Sequence, residues 1–401
     1  MTQNSLPELH FPQGFHYECI SCGRCCRQDW DVHISRREYE NLKNSDLCRE
    51  IQEKSGPEEI LTCDQEKGIS SIRNIHGHCP MLDDQNLCRI HSVMGVEAKP
   101  YTCRQLPIAL VLTPDGVYVG GSFICRQMWE NVGRPIESYR DEINGWMSEH
   151  RKEEKIGQEI AFSSRVRTTW EGYHLVEDFV RERIKGDGPF TFRLWRALMP
   201  VLMADINMVS QGIEEIDARG LSRQLTEASK ADIEKDEMFF MNERSIAYGL
   251  LSLLESSDDE HTKENTGILL NGGVLFCHSI GREIDTRKLA QYASRNPAPW
   301  RDVYFEHYVK HLLWRKYLVN HQPLTDSLAM LCVLEHLFTW YFYCSAYRRR
   351  ASSPYTSDAK FGVSKVELLV LHHNVYNIIK PFGSLYAENL RSQLEVMLEP
   401  Q

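Results

Sequence analysis

The hydrophobic pattern divides the chain into two textures. Beyond about residue 135 apolar positions recur at helical spacing. In "TTWEGYHLVEDFVRERIK" (168–185), Trp170, Tyr173, Leu175, Val176, Phe179 and Ile184 fall near one side of a helix and read as core packing. "FTFRLWRALMPVLMADINMVSQGI" (190–213) reads the same way, with a kink expected at Pro200. Further helices are expected at about 221–256, 286–295, 301–319, 324–347, 364–379 and 382–398. Two polar stretches, "SSDDEHTKENTG" (256–267) and "RRRASSPYTSDAKFG" (348–362), read as loops.

Residues 1 to about 130 behave differently. Periodicity gives way to short apolar runs between turns, such as Asp-Asp-Gln-Asn at 83–86. "IALVLTPDGVYVGGSFI" places two apolar runs around Pro114-Asp115-Gly116, the pattern of a β-hairpin. "HISRREYENLK" starts a short helix, with Ser35 as N-cap and Glu38 three residues on. The expected fold is mainly α. An irregular cysteine-rich metal domain with a short β-hairpin spans 1–130, and a helical domain spans 131–401.

Composition narrows the class. The 401 residues carry a net charge of −10 without a long basic run, which argues against nucleic acid as a main partner. The first residues have neither a basic nor an apolar signal region, so no secretory leader is expected. The most apolar stretch, 328–347, is interrupted by Glu335 and His336 and reads as a buried core helix, not a membrane span. A reducing, cytoplasmic setting follows as the default.

The chemistry lies in the cysteines. Of thirteen, ten fall between Cys19 and Cys125, while Cys277, Cys332 and Cys344 are scattered. In a chain of this size without a leader, such crowding favours metal or redox chemistry over a disulfide framework. "CISCGRCC" holds Cys19, Cys22, Cys25 and Cys26. Its Cys-x2-Cys-x2-Cys lets a short loop curl thiolates around one centre. In an extended chain the adjacent Cys25 and Cys26 point apart, so one of them is expected to serve a second site or a remote contact. Cys79, Cys88, Cys103 and Cys125 bring the candidate metal and cofactor ligands to eight. Cys48 and Cys63 sit in a polar stretch and are left outside the set.

Arg27, Arg89, Arg104 and Arg126 each follow a candidate cysteine, and guanidinium groups there would offset thiolate charge. His76, His78 and His91 lie at ligand-like spacings but read better as loop histidines, and His372 and His373 read as helical. Asp29, Trp30 and Asp31 flank the first cluster, as a substrate mouth or as plain surface. No Gly-x-Gly-x-x-Gly follows a strand, and the Cys-x3-Cys-x2-Cys spacing of radical S-adenosylmethionine enzymes is absent. Iron–sulfur is favoured by the number of thiolates and by the Cys-Pro at 79–80. Zinc is favoured by the commonness of its all-thiolate site. Catalytic residues are not assigned by the sequence.

"CISCGRCCR", "CPMLDDQNLCRIH", "KPYTCRQLPI" and "FIC", with Gly23, Pro100 and Pro107 in place, resemble the CxxCxxCC cysteine-cluster family, the YkgJ-like zinc- or iron-chelating proteins. The resemblance covers roughly residues 16–127. Within that group the build, together with "CCRQDWDVHIS" and "YFEHYVKHLLWRKYL", is similar to the flagellin lysine N-methylases. That resemblance implies an iron–sulfur cluster of the 4Fe-4S type, S-adenosylmethionine, and methyl transfer to lysines of a flagellin-like surface protein. The alternative is a non-catalytic metal-binding module, or a zinc-stapled protein-interaction module.

Overall fold

The computed structural model describes residues 7–398 except Asp29, Gln65, Lys67, 150–155, 232–236, Ser257, His321 and His372. The chain forms two compact units. One comprises 1–110 and 119–153, the other 111–118 and 154–401.

The first unit is built from short elements. Val32–Ile34, Ile69–Ile72 and Leu61–Asp64 form an antiparallel sheet with Ile69–Ile72 in the middle. Two helices follow the first strand, Arg36–Lys43 and Asp46–Ser55. The first starts at the expected capping box: the Glu38 N–H donates to Ser35 Oγ, and the Ser35 N–H donates to Glu38 Oε2 at 2.7 Å. Ser45 caps the second through the Cys48 N–H. Sheet and helices close over a small aliphatic core of Ile34, Leu42, Leu47, Ile51, Ile60 and Ile72, with Met81 and Ile90 beneath. Cys48 is buried in this core, and Cys63 accepts a contact from Arg36 Nη1 at 2.9 Å.

The expected hairpin is present: Ile108–Thr113 and Gly116–Gly121 are joined by Pro114 and Asp115. Its base belongs to the first unit and its tip, 111–118, to the second. The turn is held from inside, because Thr113 Oγ1 donates to Asp115 Oδ1 at 2.6 Å.

The second unit is helical around one central helix, Leu324–Arg348, which is buried along almost its whole length. By length and composition it passes as a membrane span, yet 89% of its apolar window is buried. It packs against Phe190–Ser210, Glu237–Leu254, Thr356–Leu371 and His373–Leu398. The helix Trp170–Arg183 buries Trp170, Tyr173 and Val176 as its pattern predicts, with Leu175 and Phe179 half-buried.

Several expected boundaries move. The 221–256 stretch divides into Ala218–Ala228 and Glu237–Leu254. The 301–319 helix stops at Trp314 and resumes as Tyr317–Asn320. The break is at Lys316, which takes φ 58°. Its Nζ donates to Glu177 Oε2 at 2.7 Å and lies 3.9 Å from the Tyr118 ring centroid, so a buried ion pair overrides helical continuity. The stretch read as a loop at 256–267 is instead largely helix, Asp259–Asn271, because Asp258 caps it through the His261 N–H at 2.9 Å and acids occupy its first turn. The loop read at 348–362 is shorter, since helix resumes at Thr356. The last helix runs through Pro381 from His373. A hairpin, Val274–Cys277 with Arg282–Asp285, was not anticipated.

Candidate metal centre

The candidate centre lies in the first unit, and its backbone explains how distant cysteines meet. Residues 25–27 form a single 3-10 turn, so Cys25 and Cys26 are not in extended chain. Their sulfurs therefore approach to 4.0 Å, where the extended-chain reading had them diverge. The Cys26 carbonyl accepts from the Cys79 N–H at 2.7 Å, stitching the first cluster to the second. Cys79 and Cys88 flank the predicted turn. Asp83 Oδ1 accepts from the Gln85 and Leu87 N–H groups, and Leu82 bridges Cys88.

Asn86, at φ 64°, reaches back across this turn. Its Oδ1 accepts from Arg27 Nη2 at 2.7 Å. Gly23 sits at φ +67° directly against it, and a Cβ there would come within 2.9 Å of Asn86 Cβ. Glycine is required on both counts.

Cys103 comes from the short helix Tyr101–Gln105, which is anchored by the Tyr101 N–H on Glu38 Oε1 at 2.6 Å. Cys125 precedes the short helix Arg126–Glu130, whose Gln127 and Met128 N–H groups face its thiol.

The thiols form a connected electrostatic cluster. Cys26 feels Cys25, Cys79 and Cys103, and Cys103 feels Cys79, Cys88 and Cys25. Cys125 feels Cys25 and Cys19. Cys25 thus joins a group of five, with Cys26, Cys79, Cys88 and Cys103, to the pair Cys19 and Cys125. Cys22 is exposed. Tyr17 borders the pair, and burial with the neighbouring Cys19 and Cys125 raises its phenol.

Titration follows from this packing. A hydrogen bond from the Cys26 thiol pulls Cys25 down to about 6, and Cys26 rises as the proton-holding partner. Burial pushes Cys79 and Cys125 each up to about 11 and raises Cys103 as well. The cation that offsets these effects is Lys99, which lowers Cys25, Cys79 and Cys103. The arginines after the cysteines have other partners. Arg27 binds Asn86, Arg89 pairs with Glu50, Arg104 with Glu97 and Arg126 with Glu130. Lys99 carried no sequence signal, being neither adjacent to a cysteine nor part of a motif.

The remaining candidates are placed as follows. His76 and His91 are exposed, and His78 Nδ1 sits 3.3 Å from the His76 carbonyl. Asp31 Oδ1 accepts from the Asn74 N–H at 2.7 Å, a loop staple. Trp30 is half-buried. Asp29 and His372 lie outside the described residues, and so does the side chain of His373.

The donor set fits a thiophilic metal. A tetrahedral ion with metal–sulfur bonds of about 2.3 Å separates its sulfurs by about 3.8 Å. The 4.0 Å between Cys25 and Cys26 is close to that. Among the described residues, no three Cys, His, Asp or Glu side chains stand at full metal-ligand spacing. The thiols are gathered around Cys25, without being closed on one point.

Comparison with known proteins agrees with this placement. Residues 18–129 match the model of the CxxCxxCC family, described as "Putative zinc- or iron-chelating domain". The cysteine-rich region is thus a domain of the cysteine-cluster type. An uncharacterised protein of Methanocaldococcus jannaschii is 31% identical over 105 residues, covering 26% of this chain. The chain spans about a third (33%) of that relative's length. No solved structure matches.

Proposed function

We propose that the cysteine domain is the seat of a polynuclear iron–sulfur centre of the 4Fe-4S type. One observation carries this reading: seven thiols from four separate segments are electrostatically contiguous through Cys25. A single tetrahedral zinc uses four thiolates. A single 4Fe-4S cluster likewise takes four, so seven thiols leave sulfurs for a second centre, and the ferredoxin-like Cys-x2-Cys-x2-Cys of Cys19, Cys22 and Cys25, with Cys79-Pro80, favours iron–sulfur. Cys25, Cys26, Cys79, Cys88 and Cys103 are the principal ligand pool, with Cys19, Cys22 and Cys125 beside it. When bound, such a centre supplies electron transfer or, with an open iron, a position for a cofactor or substrate. The chain's own part is to present the sulfurs on a stitched backbone, to hold Lys99 against the resulting negative charge, and to bury the inner thiols.

The finer reading is an enzyme that methylates protein lysines with S-adenosylmethionine, as the flagellin lysine N-methylases do. It is supported by the sequence resemblance and by a helical unit much larger than a simple carrier needs. A zinc site is the second reading, favoured by the 4.0 Å sulfur pair. It makes the domain a structural or interaction module.

The test is anaerobic purification, followed by an absorption spectrum and by iron, sulfide and zinc analysis of the same sample. Iron and sulfide in about equal amounts with a broad visible band support the cluster, and S-adenosylmethionine binding is then measured by calorimetry. Colourless protein with zinc and no sulfide overturns the cluster and the methylase reading together.

A further inference from the structure

The helical unit contains a cavity of about 500 Å³, a size that suits a small organic ligand. It opens between the helices Glu237–Leu254, Asp259–Asn271 and Thr286–Arg295 and the central helix. Its charge is one-sided: Arg244, Arg287 and Arg301 line it against the single carboxylate of Glu335. Arg287 donates through Nη2 to the Asn271 carbonyl at 3.2 Å and has no carboxylate partner among the described residues.

Arg301 is held in place. Its Nη2 donates to Thr339 Oγ1 at 3.2 Å, and Thr339 in turn donates to Glu335 Oε1 at 3.0 Å. Its charge is paired, with Nη2 3.7 Å from Glu335 Oε1 and Nε 4.0 Å from Asp302 Oδ1. Arg244 rests over the Tyr248 ring at 5.1 Å and has no carboxylate partner among the described residues. His336 borders the same space, with Nδ1 3.1 Å from Glu243 Oε1.

The guanidinium groups of Arg244 and Arg287, without carboxylate partners among the described residues, ask for oxygens that carry negative charge. The Trp340 and Tyr248 rings offer flat apolar faces beside them. We propose that this cavity binds a small organic anion, a flat apolar body carrying one oxyanion head. The head is held by Arg244 and Arg287, and the body lies against the aromatic rings. The inference rests on the helical unit alone and is independent of which metal the cysteine domain takes.

The test uses the full-length protein as purified, with its metal, and two fluorescent probes of almost the same shape. One is 8-anilinonaphthalene-1-sulfonate, an aromatic oxyanion; the other is its uncharged parent, N-phenyl-1-naphthylamine. The sulfonate is expected to bind saturably at one equivalent, about tenfold or more tighter than the neutral probe, because the head recruits charge-assisted hydrogen bonds. Arg244→Gln is expected to weaken the sulfonate about tenfold while leaving the neutral probe within about twofold. Arg287→Gln is expected to weaken the sulfonate about threefold or more. Equal affinity for the two probes, multiple sulfonate sites, or an Arg244→Gln protein that binds like the parent overturns the proposal. The two-probe comparison needs no substitution, so it decides the matter even if a variant misfolds.

Discussion

The two units solve the problem of stability by different means. The helical unit buries large aromatic side chains, among them Trp195, Tyr173, Phe305, Phe338 and Phe342, around a 25-residue helix. It also buries charge, but in pairs: Glu367 accepts from Arg315 Nη1 at 2.7 Å and from Tyr308 OH at 2.8 Å. The cysteine unit has short strands of two to six residues and a small aliphatic core under its sheet, with a second buried set that includes Phe15, Phe123, Met128, Ile136 and Ile143. The contrast teaches that burial can carry the helical unit, whereas the cysteine unit is organised by where its sulfurs must go. Cys79 and Cys88 pack directly against its core, so the metal ligands and the core are one structure.

The strongest way to break this comparison is to remove the metal. Structural thiolate sites contribute about 10 kcal/mol or more of apparent free energy. Chelation of the full-length protein should therefore abolish amide protection around 19–30 and 79–105 and leave the helical unit protected, as read by hydrogen exchange with peptide mass spectrometry. Unchanged protection in the cysteine segments would mean that the small core suffices alone.

The converse perturbation is Glu367→Ala. It withdraws the carboxylate that pairs buried Arg315, and should cost about 3–5 kcal/mol in the helical unit. Metal content per chain should stay as in the parent. Metal loss in parallel with the lowered melting transition would show that the units are not energetically separate.

Gly23→Ala sharpens the contrast from the other side. It forces a side chain onto φ +67° and against Asn86, a strain of about 1–3 kcal/mol. Metal retention should fall several-fold while the helical transition is unmoved. Full metal retention by elemental analysis would refute the interlock. The smallest effect belongs to Ser35→Ala, which removes the capping box for about 1 kcal/mol. It should shift denaturant unfolding of the cysteine unit slightly, with metal content intact.

Local signals were legible in the sequence where one short stretch determines its own geometry. Ser35 with Glu38, Pro114-Asp115-Gly116 and the 83–86 turn are all of this kind. The Trp170 stripe was legible because burial repeats every turn. What stayed hidden depends on partners far away in the chain. Lys316 breaks a helix because of Glu177, a pairing across 139 positions. Lys99 meets the thiols only once three segments have folded together. The 259–271 helix was missed because its polar surface suggested a loop, although Asp258 is a cap of the kind used elsewhere in the reading. Cys25 and Cys26 turn toward each other because a 3-10 turn forms where extended chain would point them apart, and nothing local in the sequence marks that turn.

The contact between Gly23 and Asn86 has a consequence for how this domain can drift in sequence. Asn86 sits at a fixed count from both Cys79 and Cys88, and it must arrive beneath Gly23 while holding Arg27. The nine-step interval between those cysteines therefore works as a ruler. An insertion or deletion inside it would slide Asn86 off its seat and carry one sulfur away from the other. Length variation, more than residue identity, is then the mark by which a working copy of this domain can be told from a decayed one.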